Sequence, residues 1–312
     1  MGRKNNVINT YLEDRERFAD LFNGILFKGE QIILPEELSE MDTKVRRRKD
    51  NDGQSSGKEF IRDHLKCWKK GSDLFLLGLE PEDTVQYAMP VKLLNYEALQ
   101  YDKMYKEIKK AHRLKKDLSS GEYVSGFSKK DRLIPVITLG LYCGRSKWDA
   151  PASLFEMLGV DDFSERIRDR IKTFCNNFSS NLIDIKTLDE RIFTTDLKEV
   201  VGFLKRQDDK EALEEYVNRN KTFTTLKEDA YNVIAALSHT RNLIIRKEEY
   251  RNKGGVDMCL AIQEMIQDGI DERMKKVNLL TIRLIEDGRI DELAKSAENQ
   301  VLQHELMEEY GI

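Results

Sequence analysis

Cysteine and histidine are scarce in this chain. Cys67, Cys143, Cys175 and Cys259 stand far apart, as do His64, His112, His239 and His304. None of the cysteines pairs at metal-ligand spacing, and four in a chain of 312 residues make no disulfide scaffold. The expectation is reduced thiols in a cytoplasmic protein, without a zinc site or a Cys/His nucleophile pair. No apolar run approaches the ~18 residues of a membrane-spanning helix. The first residues, Met1-Gly2-Arg3-Lys4-Asn5-Asn6, lack the apolar stretch of a secretory signal, and Asn6 does not fit the myristoylation pattern. A strong positive field is also missing. The net charge is −4, so any nucleic-acid binding must come from local patches.

What is present is charge and a sufficient core. Charged residues make up 35% of the chain and apolar ones 40%, with a mean hydropathy of −0.58. The length allows two modest domains, expected at residues 1–205 and 206–312. Tyr11, Phe18, Leu21, Phe22, Ile25 and Leu26 recur at helical spacing, which predicts a helix over 11–27. Gln31–Leu34 reads as a short strand closed by Pro35. Residues 44–59 carry little apolar periodicity and read as a loop or hairpin tip. The apolar run Leu74–Leu79 and the stretch Leu133–Tyr142 are the strongest strand candidates, and Leu182–Ile185 is a shorter one. Between them a long helix follows Pro90, and the segment 117–130 reads as a loop. From Phe193 onward the pattern is helical, with helices expected over 196–206, 209–219, 225–246, 256–286 and 290–309. The fold class is therefore α/β, in the order αβββαβ, followed by an all-α C-terminal extension.

The segment from Arg62 to Pro90 carries the most chemistry. If residues 64–68 fold back on Leu74–Leu79 through a turn at Lys69-Lys70-Gly71-Ser72, Asp63 and Glu80 meet at one sheet edge. Two carboxylates meeting there suit a hard divalent cation such as Mg²⁺, which activates water and neutralises phosphate in hydrolysis. The plainer reading is a pair of solvated turn residues.

Several strings resemble the recombination-promoting nuclease family, a transposase-like group of bacterial, cytosolic proteins in the PD-(D/E)XK nuclease superfamily. They are RFADLFNGILF (17–27), ILPEELSEMD (33–42), LLGLE (76–80), YAMPVKLLNYEALQY (87–101), GFSKKDRLIPVITLGLYCG (126–144) and KWDAPASLFEML (147–158), with TTDLKEVVGFLK (194–205) and GGVDMCLAIQEMIQDGI (254–270) further on. The resemblance implies a restriction-endonuclease-like αβββαβ core with a mixed sheet. It also implies Mg²⁺-dependent cleavage of DNA, with Mn²⁺ as an alternative ion and a link to recombination or mobile elements. By position it assigns the metal to Asp63 and Glu80, with the carbonyl of Pro81 as a third ligand. The superfamily carries Lys, and this family more often Gln, two residues after the second acid, where this chain has Glu82. An ionised Glu82 donates no hydrogen bond. Either it joins the site as an extra catalytic acid, for a second metal, or the chain is a degenerate descendant that binds nucleic acid or a protein partner.

Other candidates each have a plainer reading. Glu16 or Asp20 could add a helix acid but could equally be solvated. Lys92 could replace the missing motif lysine if it points inward, and Lys66 also lies near the acids in sequence. Seven Lys and Arg residues between Lys103 and Lys116, opposed by Glu107 alone, could follow a phosphate backbone or simply face solvent. Arg46-Arg47-Arg48-Lys49 and Lys129-Lys130-Arg132 are weaker versions of the same patch. Tyr87, Tyr96 and Tyr101 read as core, and Trp148 as a surface aromatic at a polar turn. The long C-terminal helix, with its Ile, Met and Leu stripe, suggests a homo-oligomer.

Overall fold

A computed structural model of the chain describes residues 3–47, 58–61 and 63–312. Two helices, α1 (Arg3–Glu13) and α2 (Arg15–Phe27), open it. The periodicity read as one helix is broken at Asp14, whose side chain caps α2 by accepting from the Arg17 N–H. Residues 31–34 form no strand. The Asn23 side chain accepts the Ile32 and Ile33 amides at 3.2 and 2.8 Å, meeting their hydrogen bonds without a sheet partner.

The strands β1 (Leu38–Glu40), β2 (Lys44–Arg47), β3 (Lys58–Ile61), β4 (His64–Lys70) and β5 (Asp73–Glu82) follow. The loop expected over 44–59 is thus partly an antiparallel hairpin, β2 on β3. Its tip, with Arg48 and Lys49, lies outside the described residues. Next come α3 (Met89–Lys115), the short α4 (Ser120–Tyr123), β6 (Val136–Tyr142), α5 (Leu154–Met157), α6 (Glu165–Phe174) and β7 (Leu182–Asp184). The remainder is helical apart from the two-residue strands β8 (Arg251–Asn252) and β9 (Gly255–Val256). Its helices are α7 (Leu197–Arg206), α8 (Lys210–Arg219), α9 (Glu228–Leu237), α10 (Arg241–Ile245), α11 (Met258–Glu286), α12 (Ile290–Glu298) and α13 (Gln300–Glu309). Two helices expected to be continuous are split. Residues 225–246 break at Ser238–Thr240, and Asn299 ends α12 and caps α13.

The main sheet has the order β1-β4-β5-β6-β7. β4 pairs antiparallel with β1 and β5, while β5, β6 and β7 run parallel, so the sheet is mixed. The chain is thus α/β with a helical C-terminal region. Alternation along the strands sorts side chains between two faces. Leu77 and Leu79 of β5 join Leu139 and Leu141 of β6 in the large core, with Phe18 and Phe22 of α2, Val200 and Phe203 of α7 and Ile234 of α9. Leu76, Val136 and Leu65 turn the other way and pack on Met104 of α3. Leu280 and Leu284 of α11 form a separate cluster with Leu306 of α13. No helix among the described residues is long and apolar enough to cross a membrane.

Candidate functional site

Strand register brings the two predicted acids together. Two residues, Gly71 and Ser72, join β4 to β5, and Gly71 takes φ +60°, a conformation natural to glycine. The ladder runs back from Lys70↔Asp73 to His64↔Leu79, which places Asp63 beside Glu80. The Asp63 N–H donates to Glu80 Oε1 at 3.3 Å. The pair does not lie on an edge strand, as a simple hairpin would have it. β5 is the central strand, covered by β4 on one side and β6 on the other.

Glu82 lies two residues on and therefore on the same face as Glu80. Both are buried. Room for them comes from across the ladder, where Gly140 stands opposite Glu80; a Cβ there would lie 2.6 Å from Met89 Cε. The first turns of α3 pack over this gap and carry Lys92 into it. The Lys92 ammonium lies 3.1 Å from Glu80 Oε2 and 2.5 Å from Glu82 Oε1. Lys92 thus points inward, while Lys66 does not belong to the site. It lies on the opposite face, where it pairs with Glu40 and donates to the Glu13 carbonyl at 3.1 Å.

Pro81 sits inside the central strand, where proline normally removes a ladder hydrogen bond. The register shows why it is accepted here. Leu76 and Glu82 exchange backbone bonds with the β6 side, through Pro135 O and Cys143 N, so the odd-numbered residues of β5 address β4. The described β4–β5 ladder ends at His64↔Leu79, two residues before Pro81, and its missing N–H breaks no described pair. The same alternation directs the Pro81 carbonyl toward the Asp63 side.

One residue of the site was not anticipated from the sequence. The Asn9 amide of α1 hydrogen-bonds the Asp63 carboxylate. Its own Oδ1 is buried with no hydrogen-bond partner among the described residues. A polar residue in a helix that begins before the expected start at position 11 is the signal that went unread.

The electrostatics follow from this crowding. Burial raises the Glu80 pKa to about 7; Lys92 opposes the shift and Asp63 adds to it. Burial also raises Asp63, against Lys92 and with the Glu82 charge. Burial works against the Lys92 charge, yet Glu80 and Glu82 hold its pKa above the usual lysine value. When all are ionised, three carboxylates and one ammonium leave two excess negative charges in a partly enclosed pocket.

Among the described residues, no three His, Cys, Asp or Glu side chains already surround a common metal position. The donors at hand are nevertheless the oxygens a hard cation prefers: the Asp63 and Glu80 carboxylates and the Pro81 carbonyl. Mg²⁺ commonly takes one or two carboxylates and keeps several waters. The residues present therefore fit such an ion.

The remaining candidates separate clearly. Asp20 is buried and accepts from the backbone and side chains of Thr194 and Thr195 at 2.7–3.1 Å, so it anchors a turn away from the site. Glu16 lies exposed in the first turn of α2. The basic run occupies the end of α3, where cations suit the helix C-terminus, and Lys106 pairs with Asp102. Tyr96 is buried and the Tyr101 hydroxyl accepts from the Val136 N–H, but Tyr87 is 61% exposed and donates to Asp149, contrary to its expected place in the core. Trp148 packs edge-on against Tyr142 at 5.0 Å and donates to the Ala150 carbonyl, so it is not a free surface platform.

No family model, no curated protein and no solved structure matches the chain.

Proposed function

We propose that the chain is a metal-dependent endonuclease that hydrolyses DNA phosphodiester bonds, with Asp63, Glu80 and the Pro81 carbonyl holding Mg²⁺ or Mn²⁺. The observation that carries this reading is the convergence of Asp63, Glu80 and Glu82 on Lys92, with a negative charge that Lys92 only partly offsets. The succession of α1–α2, β1, β4, β5, α3 and β6 supports a restriction-endonuclease-like αβββαβ core, and with it the likeness to recombination-promoting nucleases.

A bound divalent ion would lower the pKa of a water and neutralise charge on the phosphate. The chain's own residues supply the rest. Lys92 has three donors and reaches the site from α3, so it takes the place of the strand lysine that Glu82 displaces. Glu82 fixes that ammonium beside Glu80 and offsets part of its charge. Asn9 orients the Asp63 carboxylate. The cations of α3 from Lys103 to Lys116 continue away from the site along the same helix and would meet the phosphate backbone.

A second reading has its own observation. Lys92 already spans Glu80 and Glu82, and an ammonium there stands in for a metal ion in a degenerate nuclease fold that binds nucleic acid or a protein partner. Nicking of supercoiled plasmid separates the two. The nuclease nicks in Mg²⁺ or Mn²⁺, stops with chelator, and loses at least about a hundredfold of rate in Asp63→Ala and Glu80→Gln. Wild-type chain that nicks in neither metal, yet retains salt-sensitive DNA binding, establishes the second reading instead.

A further inference from the structure

We infer that α11 pairs with the α11 of a second copy of this chain, antiparallel, around a two-fold axis near residues 272 and 273. This helix is covered unevenly along its length, and it stands apart from the acid cluster. Its first turns are held by the main core through Met258, Ala261 and Ile262, and its last by Leu306 and the C-terminal cluster through Leu280 and Leu284. Between these anchors, residues 267–276 are exposed all the way round.

A stripe beside the anchored face runs the length of the helix at positions 260, 263, 267, 270, 274, 278, 281 and 285. The spacing alternates threes and fours, so these residues share one face. In order they are Leu260, Gln263, Gln267, Ile270, Met274, Asn278, Thr281 and Ile285. Leu260 is 41% exposed, Ile270 51%, Met274 60% and Ile285 53%. The pattern is apolar, polar, polar, apolar, and then the same in reverse. Leu260 and Ile285 are equally distant from a point between Glu272 and Arg273, as are Gln267 and Asn278. Ile270 with Met274, and Gln263 with Thr281, match to within one residue. A two-fold interface is self-complementary, so an antiparallel pair requires this mirror order, whereas a helix facing solvent does not.

Charge follows the same symmetry. Acids precede the midpoint at Asp268, Asp271 and Glu272, and bases follow it at Arg273, Lys275 and Lys276. Asp271 and Lys275 lie four apart on one shoulder of the stripe. Antiparallel packing sets like shoulders together, so Asp271 of each copy meets Lys275 of the other. A parallel pair would set this shoulder against the opposite one, which carries Ile266 and Val277 near the midpoint, and would leave Asp271 and Lys275 without these partners. The complementarity therefore selects both the partner, a second copy, and its direction.

Sedimentation of the full chain at tens of micromolar is expected to show a dimer. Met274→Asp, at a side chain exposed in the single chain, should leave the circular dichroism unchanged and yield monomer. Asp271→Lys and Lys275→Glu should each weaken self-association about tenfold or more, and mixing the two variants should restore dimer. A monomeric wild type, a dimeric Met274→Asp, or a mixture that fails to associate would each overturn the inference.

Discussion

The site turns on how one lysine side chain is shared. Lys92 faces two buried carboxylates and is itself only partly enclosed, its side chain 29% exposed. Removing it strands both acids. Lys92→Met should destabilise the protein by about 1–3 kcal/mol, less than for a fully buried pair because water reaches the ammonium. Urea unfolding measures this, and Mn²⁺ should recover more stability in the variant than in the wild type. A second residue-scale device lies at the far end of α3. His112 bridges Asp117 at 2.6 Å and Asp131 at 2.8 Å; these hydrogen bonds raise its pKa and lower that of Asp117, while Asp131 is lowered first by the Ser128 N–H and then by His112. The histidine contribution is complete below its unfolded pKa of ~6.5 and is lost as pH rises through the higher folded value. The aspartates act in the opposite sense, losing theirs only as pH falls through their depressed values. His112→Asn should therefore lower the melting temperature more at about pH 5.5 than at about pH 8.5. An equal loss at both would show that the bridge carries no charge.

At the scale of elements, the hydrophobic pattern made the central strands and the long helices legible. Leu74–Leu79 and Leu133–Tyr142 are apolar enough to announce buried strands, and the Asp63–Glu80 meeting follows from the Gly71-Ser72 turn between β4 and β5. The strand at 31–34 failed because a side chain, Asn23, does the work of a ladder. The break at Asp14 and the split at Asn299 are capping events that a 3.6-residue period passes over. Asn9 was illegible for another reason: its role depends on α1 lying against β5, a tertiary fact. Close packing between elements is also absent from the pattern. Gly202 of α7 lies so near α8 that a Cβ would fall 2.0 Å from the Tyr216 hydroxyl. That hydroxyl donates to the Lys198 carbonyl, which limits how far the ring can retreat. Gly202→Ala should cost about 1–3 kcal/mol and be visible as a drop in melting temperature, despite alanine's better helix propensity.

For the whole molecule, the main feature is one large core plus a small satellite. The large core draws on residues from Ile8 to Ile262, while Leu280, Leu284 and Leu306 stand apart from it. Local stability should divide the same way. Leu284→Ala, at a fully buried position, should remove about 2–5 kcal/mol from the satellite. Hydrogen exchange should then quicken across 277–312 and remain slow in β4, β5 and β6. Equal acceleration in the strands would mean that the two clusters unfold together.

Arg17 has a consequence for how the protein is made. It joins the first helices to residues far along the chain, reaching Asp196 at 2.8 Å and Asp229 at 3.2 Å, the latter 212 positions away. Translation proceeds at ~5–20 residues per second, so a ribosome needs roughly 10–40 s between making the arginine and its last partner. During that interval α2, and through the Arg17 contact with the Tyr11 carbonyl also α1, which carries Asn9, lacks this last tether. The nascent chain thus exposes the acid cluster's supporting helix well before it can secure it, and a hydrolytic activity built on that cluster would mature only near the end of synthesis.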